Sequence, residues 1–214
     1  MSTSLVARAE RPAAGRQKGA RKPPRSKTRF ASRAEVIAAV MPVFRKYGLD
    51  GATLSVITEE IGLQRSSLYH HFPEGKDEMA AACLAQVETE FEARVFAVLR
   101  SDALPEQRIR AVTRELRAYY EDGRMGCLFA AFALENSRAR FKAQLDRMLH
   151  AWIEATAKLF RDQGQDERAA REAAEEVVCA IQGALIVAPG LGSNKPFLRA
   201  VKQLWQFTGR RPGE

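Results

Sequence analysis

Apolar side chains recur every three or four residues through almost the whole chain from Ser32 onward. Residues at that spacing share one face of an α-helix, whereas a half-buried strand requires alternating apolar and polar positions. Ser32 and Glu35 form the capping-box pattern that starts a helix, and Gly48 marks the end of that helix. No convincing strand pattern is found, so the sequence predicts an all-α protein.

Positive charge is concentrated at the N-terminus. Residues 1–33 contain ten basic residues and one acidic residue, while the whole chain of 214 residues has a formal net charge of +8. A basic segment on a near-neutral body is typical of a protein that meets a polyanion. The same proline-containing, apolar-poor composition also fits a solvated, disordered tail, so the role of this arm stays open.

The three cysteines, Cys83, Cys127 and Cys179, are far apart and form no CxxC pair. This usage favours a reduced, cytoplasmic protein over a disulfide scaffold. No uninterrupted apolar run approaches the roughly 20 residues that span a bilayer. No apolar stretch follows the basic N-terminus as a signal peptide requires. We therefore expect a cytoplasmic protein without a membrane partner.

Two short predicted helices flank a glycine turn in the N-terminal third of the chain. Thr53 is placed to cap the first, which ends at Gly62, and the second runs from about Arg65 to Phe72. Leu68 and Phe72 lie four residues apart and face the core together. This order is typical of a helix-turn-helix, whose second helix enters the major groove of DNA. The outer face of that second helix offers polar side chains to base edges and phosphates, namely Gln64, Arg65, Ser66, Ser67, Tyr69, His70 and His71.

Lys76 stands at the start of the following helix, where its ammonium and the unpaired amides of the first turn favour a phosphate oxygen. His70 and His71 are adjacent, and adjacent positions on a helix point about 100° apart. With no third ligand near in sequence, we expect no metal there. Residues 79–214 contain no HExxH, GxSxG or GxxxxGK[ST] motif, which argues against a catalytic site there. No cofactor is expected.

Residues 51–76 read GATLSVITEEIGLQRSSLYHHFPEGK. This stretch resembles the N-terminal signature of the TetR/AcrR family of repressors, in the branch with the longer Tyr-His-His-Phe-Pro-x-Gly-Lys turn. Thr58 and Ile61 depart from the family pattern, which prefers alanine, and Gln64 replaces the usual serine or threonine cap. The resemblance implies phosphate contacts for Thr53, Tyr69, His71 and Lys76, and base or mixed contacts for Gln64, Arg65, Ser67 and His70.

The helical remainder of the chain carries no catalytic constellation. Since family members bind varied small effectors in this region, the resemblance implies a pocket here. The candidate lining residues are Phe91, Tyr119, Tyr120, Cys127, Phe129, Phe132, Met148 and Trp152. Such stripes are also the pattern of ordinary core. Cys127 is either a reactive thiol at a helix N-terminus or a packing residue.

A recognition helix needs a second copy, because one half-site gives too few contacts for specificity. Two-fold dimers place such helices in successive major grooves, about 34–36 Å apart. We expect the last two helices to form this homodimer interface, as in the family, although some of their residues must also serve the core of one chain. The candidates are Ala173, Ala174, Ala180, Gly183, Ala184, Leu198, Val201 and Trp205.

The sequence thus predicts a basic N-terminal arm (1–28), a three-helix helix-turn-helix DNA-binding domain (29–78) and a larger helical effector-binding and dimerisation domain (79–214). The expected function is a transcriptional repressor that binds a palindromic operator as a homodimer and is released by a small-molecule effector. A non-specific architectural DNA-binding protein is the alternative. A helical enzyme is disfavoured, because no acid–base pair or nucleophile stands at usable spacing.

Overall fold

A computed structural model describes residues 32–133 and 138–206, so the N-terminal arm lies outside the described residues. Within these ranges the chain is helical and contains no strand, which confirms the all-α fold. The first three helices are α1 (Arg33–Gly51), α2 (Leu54–Ile61) and α3 (Arg65–His71). They are followed by α4 (Lys76–Phe91), α5 (Ala97–Arg100), α6 (Pro105–Tyr119), α7 (Leu128–Ala133), α8 (Arg138–Arg161), α9 (Glu167–Gly190) and α10 (Lys195–Gln206).

The first helices begin and change direction where local signals predict. Ser32 Oγ accepts a hydrogen bond from the Glu35 amide, and the Glu35 carboxylate accepts one from the Ser32 amide, both at 3.2 Å. Gly48 interrupts α1 with a φ of 65°, and Gly62 ends α2 with a φ of 71°. Glycine adopts this left-handed backbone at little cost, so the turns at Gly48 and Gly62 are both encoded locally.

A π-helical turn, Glu92–Phe96, joins α4 to α5 without a break. The sequence spacing predicts one regular helix through Val98, and nothing in it marks this insertion. The wider turn allows the adjacent side chains of Val95 and Phe96 to enter the core together, at 1% and 2% exposure. Such turns are rare inside α-helices.

The C-terminal helices form a bundle in which α9 packs against both α8 and α10, and α10 packs against α6. α1 packs against α4 and α7, and the Phe44 ring meets the Phe132 ring edge-to-face with centroids 5.6 Å apart. The apolar core is therefore continuous from the helix-turn-helix into the bundle. The helix-turn-helix is attached to the C-terminal helices through α1 as well as through the chain connection at α4.

By length and composition alone, α9 is apolar enough to cross a membrane, although no uninterrupted apolar run marks it in the sequence. In the fold, 44% of its most apolar window is buried, and the helix packs against α8 and α10. A core helix of a bundle meets the same criteria, so the composition of α9 is weak evidence for a membrane span.

Candidate nucleic-acid interface

The inner side of α3 holds this helix on the core. Leu68 and Phe72 are fully buried, and Leu63, in the turn before α3, is 7% exposed. Ile57 and Ile61 of α2 belong to the same buried cluster. These apolar contacts set the rotation of α3 about its axis, so the opposite face is turned to solvent.

The side chains expected to contact DNA lie on that outward face. Tyr69 is 44% exposed, which is unusual for a large aromatic side chain. The rings of His70 and His71 lie edge-to-face with centroids 5.4 Å apart. Across residues 32–133 and 138–206, no group of three or more metal-ligating side chains is found. The exposed residues are Thr53, Gln64, Arg65, Ser66, Tyr69 and His70, while Ser67, His71 and Lys76 are half-buried.

Side-chain contacts between α2 and α3 place Arg65. Thr53 Oγ1 accepts a hydrogen bond from the Val56 amide at 3.3 Å, which confirms the predicted cap of α2. The Arg65 guanidinium donates to Ser55 Oγ at 2.7 Å. Gln64 makes no capping bond, so α3 begins at Arg65 without side-chain help. Ser55 was not predicted as a site residue, because its meeting with Arg65 depends on how the two helices cross.

Lys76 occupies the start of α4, and its ammonium already has a partner within the chain. Nζ donates to the carbonyl oxygen of Leu49 at 2.6 Å, which ties α4 to the end of α1. In the same first turn, the Glu78 carboxylate accepts the Glu74 amide at 3.0 Å and the Arg33 guanidinium at 2.8 Å. An ammonium has three hydrogens, so a phosphate contact of Lys76 remains compatible with this structural bond.

Four of the residues expected to line an effector pocket form one cluster of buried rings: Phe91, Tyr119, Tyr120 and Trp152. The Phe91 ring centroid lies 4.9 Å from that of Tyr119, 5.2 Å from Trp152 and 6.1 Å from Tyr120, all near edge-to-face. Burial raises the pKa of both tyrosines, so their hydroxyls stay protonated. None of the eight candidates is more than 8% exposed: Phe91, Tyr119, Tyr120, Cys127, Phe129, Phe132, Met148 and Trp152.

The three cysteines lie in different surroundings. Cys127 precedes α7, and its Sγ accepts hydrogen bonds from the Tyr120 hydroxyl at 3.6 Å and from the Gln182 amide of α9 at 3.5 Å. Burial raises the pKa of the Cys83 thiol to about 12, whereas Cys179 is exposed. Cys127 therefore joins α7 to α9 through hydrogen bonds, and a reactive role for its thiol stays a prediction.

The residues expected at a dimer interface divide between the core and the surface. Gly183 faces open space. Three apolar side chains near the end of α9 are exposed: Ile186 at 59%, Val187 at 47% and Leu191, just after the helix, at 69%. The expectation that some candidates serve the core of one chain holds for Ala173, Ala174, Ala184 and Val201, which are buried within the chain.

Comparisons with known proteins agree with this arrangement. Residues 36–83 match the family model "Bacterial regulatory proteins, tetR family", and residues 105–203 match "Transcriptional regulator LmrA/YxaF-like, C-terminal domain". The HTH-type transcriptional regulator LmrA of Bacillus subtilis is 24% identical over 173 residues, which are 78% of this chain and 91% of that protein.

Solved structures of TetR regulators share the fold. The regulatory protein TetR from Rhodobacter sphaeroides superposes with a TM-score of 0.70 at 21% identity, covering 82% of this chain and 98% of its own. A TetR-family regulator from Agrobacterium tumefaciens superposes with a TM-score of 0.70 at 18% identity, covering 86% and 98%. The two matching family models together span more than half of the chain. The chain therefore belongs to the TetR family and is a DNA-binding transcriptional regulator rather than an enzyme.

Proposed function

We propose that this regulator is a repressor that binds a palindromic operator as a homodimer and is released by a small-molecule effector. In this proposal residues 29–78 bind DNA, residues 79–214 bind the effector and the second subunit, and the protein acts in the cytoplasm. The observation that carries it is the outward polar face of α3, held by the buried side chains Leu68 and Phe72.

The exposed side chains of α3 have the chemistry of a major-groove reader. Guanidinium, amide and hydroxyl groups recognise base edges, while hydroxyl, imidazole and ammonium groups near the helix ends hold phosphates. We assign Gln64, Arg65, Ser66, Ser67 and His70 to base or mixed contacts. We assign Thr53, Tyr69, His71 and Lys76 to phosphates.

Exposed apolar side chains at the end of α9 support the proposal of a second subunit. Ile186, Val187 and Leu191 leave an apolar patch in water, and a contiguous exposed apolar patch favours association. Pairing of α9 and α10 with their copies would form a two-fold dimer. Its two copies of α3 would then have to lie about 34–36 Å apart to enter successive major grooves.

Effector release requires a ligand that binds two arrangements of the dimer with different affinity. The aromatic cluster around Phe91 is our candidate for the ligand's site, since Phe91 is the last residue of α4, whose first residue is Lys76. Movement of α4 would transmit binding at one end to the DNA contact at the other. Because the rings pack closely against one another, entry of a ligand requires them to rearrange.

Selection of binding sites from random duplexes tests the proposal directly. We expect the purified protein to enrich a palindromic sequence. Screening of small molecules should then identify an effector whose addition releases the protein from that sequence. A protein without sequence preference at moderate salt would instead be an architectural DNA binder. A protein that binds its operator as a monomer would contradict the dimer, and one that activates transcription from it would contradict the repressor role.

A further inference from the structure

A cleft of about 370 Å³ is lined by residues of α1 and of the later helices α4 and α6. Its α1 wall is mainly apolar and includes Ile37, Ala38 and Met41. The opposite wall carries Tyr119, at the end of α6, and Met125, in the connection to α7. The cleft therefore lies where the helix-turn-helix meets the C-terminal helices, and it is separate from the outward face of α3.

Arg45 of α1 crosses one end of this cleft. Its Nη2 donates to the Tyr119 hydroxyl at 2.8 Å, and its Nη1 donates to the thioether sulfur of Met125 at 3.0 Å. Its Nε is buried and has no hydrogen-bond partner. A thioether is a weak acceptor, and a partly buried cation is costly without an anionic partner. Among residues 32–133 and 138–206, no carboxylate forms an ion pair with Arg45.

The other charged side chains that line the cleft have a hydrogen-bond or ion-pair partner, or are exposed to water. Arg94 pairs with Glu115 at 3.0 Å, and Glu90 accepts a hydrogen bond from the Gln86 amide at 2.9 Å. Glu121 lies at the rim, where it is exposed to water. Of the two cations that line the cleft in the described part of the chain, Arg94 therefore has an ion-pair partner and Arg45 has none, and Arg45 lies beside an apolar wall.

We propose that this cleft binds a small organic anion, whose carboxylate accepts hydrogen bonds from Arg45 and whose apolar body rests on α1. The anion would replace the weak thioether acceptor by a charged one, which makes a stronger, charge-assisted hydrogen bond. Because the cleft has walls from both parts of the molecule, a bound anion favours the arrangement of α1 and α6 that it fits. This site stands independently of the repressor proposal and of the aromatic cluster, although Tyr119 belongs to both.

Isothermal titration calorimetry on the protein without DNA tests whether the ligand must be an anion. The probes are octanoate, octan-1-ol and octylammonium, which all have eight carbon atoms. We expect octanoate to bind at least about tenfold more tightly than either of the others. Absence of octanoate binding, or equal binding of octanol, would overturn the proposal. Since no DNA is present, these results do not depend on whether the protein is a repressor.

Two variants locate the site. Arg45→Gln removes the charge. Ala38→Phe places a large side chain in the cleft and leaves Arg45 in the sequence. Because Ala38 is an exposed position of α1, at least this second variant is expected to fold. Each is expected to weaken octanoate binding by about tenfold or more. Arg114→Gln, an exposed arginine of α6 that does not line this cleft, is the matched control and should bind as the wild type does. Unchanged octanoate affinity in the folded Ala38→Phe variant would overturn the proposal.

Discussion

At the residue scale, Arg65 is an exposed side chain of α3 that is held by a hydrogen bond to the neighbouring helix α2. Its guanidinium donates to Ser55 Oγ at 2.7 Å while the residue remains exposed. A guanidinium has five N–H donors, so this bond leaves enough of them to recognise a guanine edge. The hydrogen bond to Ser55 restricts the rotamers of Arg65 in the free protein, which lowers the side-chain entropy lost when DNA binds.

Arg65→Ala is expected to cost about 1–3 kcal/mol of binding free energy on the selected operator and to relax the preference at one base pair. Fluorescence anisotropy with single-base operator variants measures both effects. Ser55→Ala is the matched control: it removes the restraint but keeps the guanidinium, so affinity should fall less and base preference should persist. An Arg65→Ala protein with the wild-type base preference would show that Arg65 does not read a base.

Asp162 is a residue whose charge depends on two neighbours. Arg108 of α6 is 3% exposed, and its Nη1 donates to Asp162 Oδ2 and to the Leu99 carbonyl oxygen, at 2.8 and 2.9 Å. Lys158 donates to the same carboxylate oxygen at 2.8 Å. The hydrogen bond from Lys158, followed by that from Arg108, holds the pKa of Asp162 below its usual value against the opposing effect of burial.

Asp162→Asn should therefore reduce the free energy of unfolding at neutral pH, and the difference from wild type should shrink in acid. A carboxyl whose pKa is lower in the folded state stabilises above its unfolded pKa of about 4, and this is lost as pH falls through the folded value. Urea unfolding from neutral pH down to about pH 3 measures the trend. Asp146→Asn controls for loss of one charge, since Asp146 lies on α8, which ends just before Asp162, and its side chain is 58% exposed. A difference that does not change with pH would contradict this role.

At the element scale, the turn between α6 and α7 sets the position of α10. Glu121 and Asp122 both have a positive φ, 49° and 56°, and Gly123 follows with a φ of 89°. A Cβ added at Gly123 would lie 2.5 Å from Cβ of Phe197, a fully buried residue of α10. Glycine is thus required here both for the backbone conformation and for the close approach of a helix distant in sequence.

Gly123→Ala is expected to destabilise the protein more than Gly164→Ala does. Gly164 has a similar φ of 95° but open space around its added Cβ, so it controls for the backbone strain alone, about 1–2 kcal/mol. The overpacking of Phe197 should add about 1–3 kcal/mol in Gly123→Ala, measured by chemical unfolding. Equal losses in the two variants would show that α10 moves away from the turn at little cost.

At the scale of the whole molecule, the exposed apolar end of α9 is the feature that a single chain leaves unexplained. Leu191, just after α9, is 69% exposed, with Ile186 and Val187 close by in sequence. Burying one such side chain fully contributes about 1.5–3 kcal/mol. A two-fold contact buries the same patch on both subunits, so each residue contributes twice per dimer and a few apolar residues contribute substantially to association.

Leu191→Glu is expected to shift the protein toward the monomer, because it places a charge in the apolar contact. It should weaken operator binding as well, since the two recognition helices are no longer linked. Leu104→Glu is the matched control, because Leu104 is similarly exposed, at 66%, in the connection before α6. Sedimentation equilibrium measures the association, and a wild-type monomer or equal effects of both substitutions would exclude this interface.

What the sequence determined by itself is local. The capping box at Ser32, the cap at Thr53 and the left-handed turn at Gly62 involve contacts within about four residues, so each is legible in a short stretch of the chain. The inward placement of Leu68 and the outward placement of Tyr69 follow from the same helical periodicity. These signals were sufficient for the all-α fold and the helix-turn-helix.

What only the tertiary structure decided is long-range. The bond from Lys76 to Leu49 and that from Arg45 to Tyr119 join residues 27 and 74 positions apart, and no sequence period connects them. The same holds for α9, where Ala173 and Ala184 turned out to be buried in the chain while Ile186 is exposed. Helical spacing places residues on a face, but which neighbour covers that face depends on how helices distant in sequence pack together.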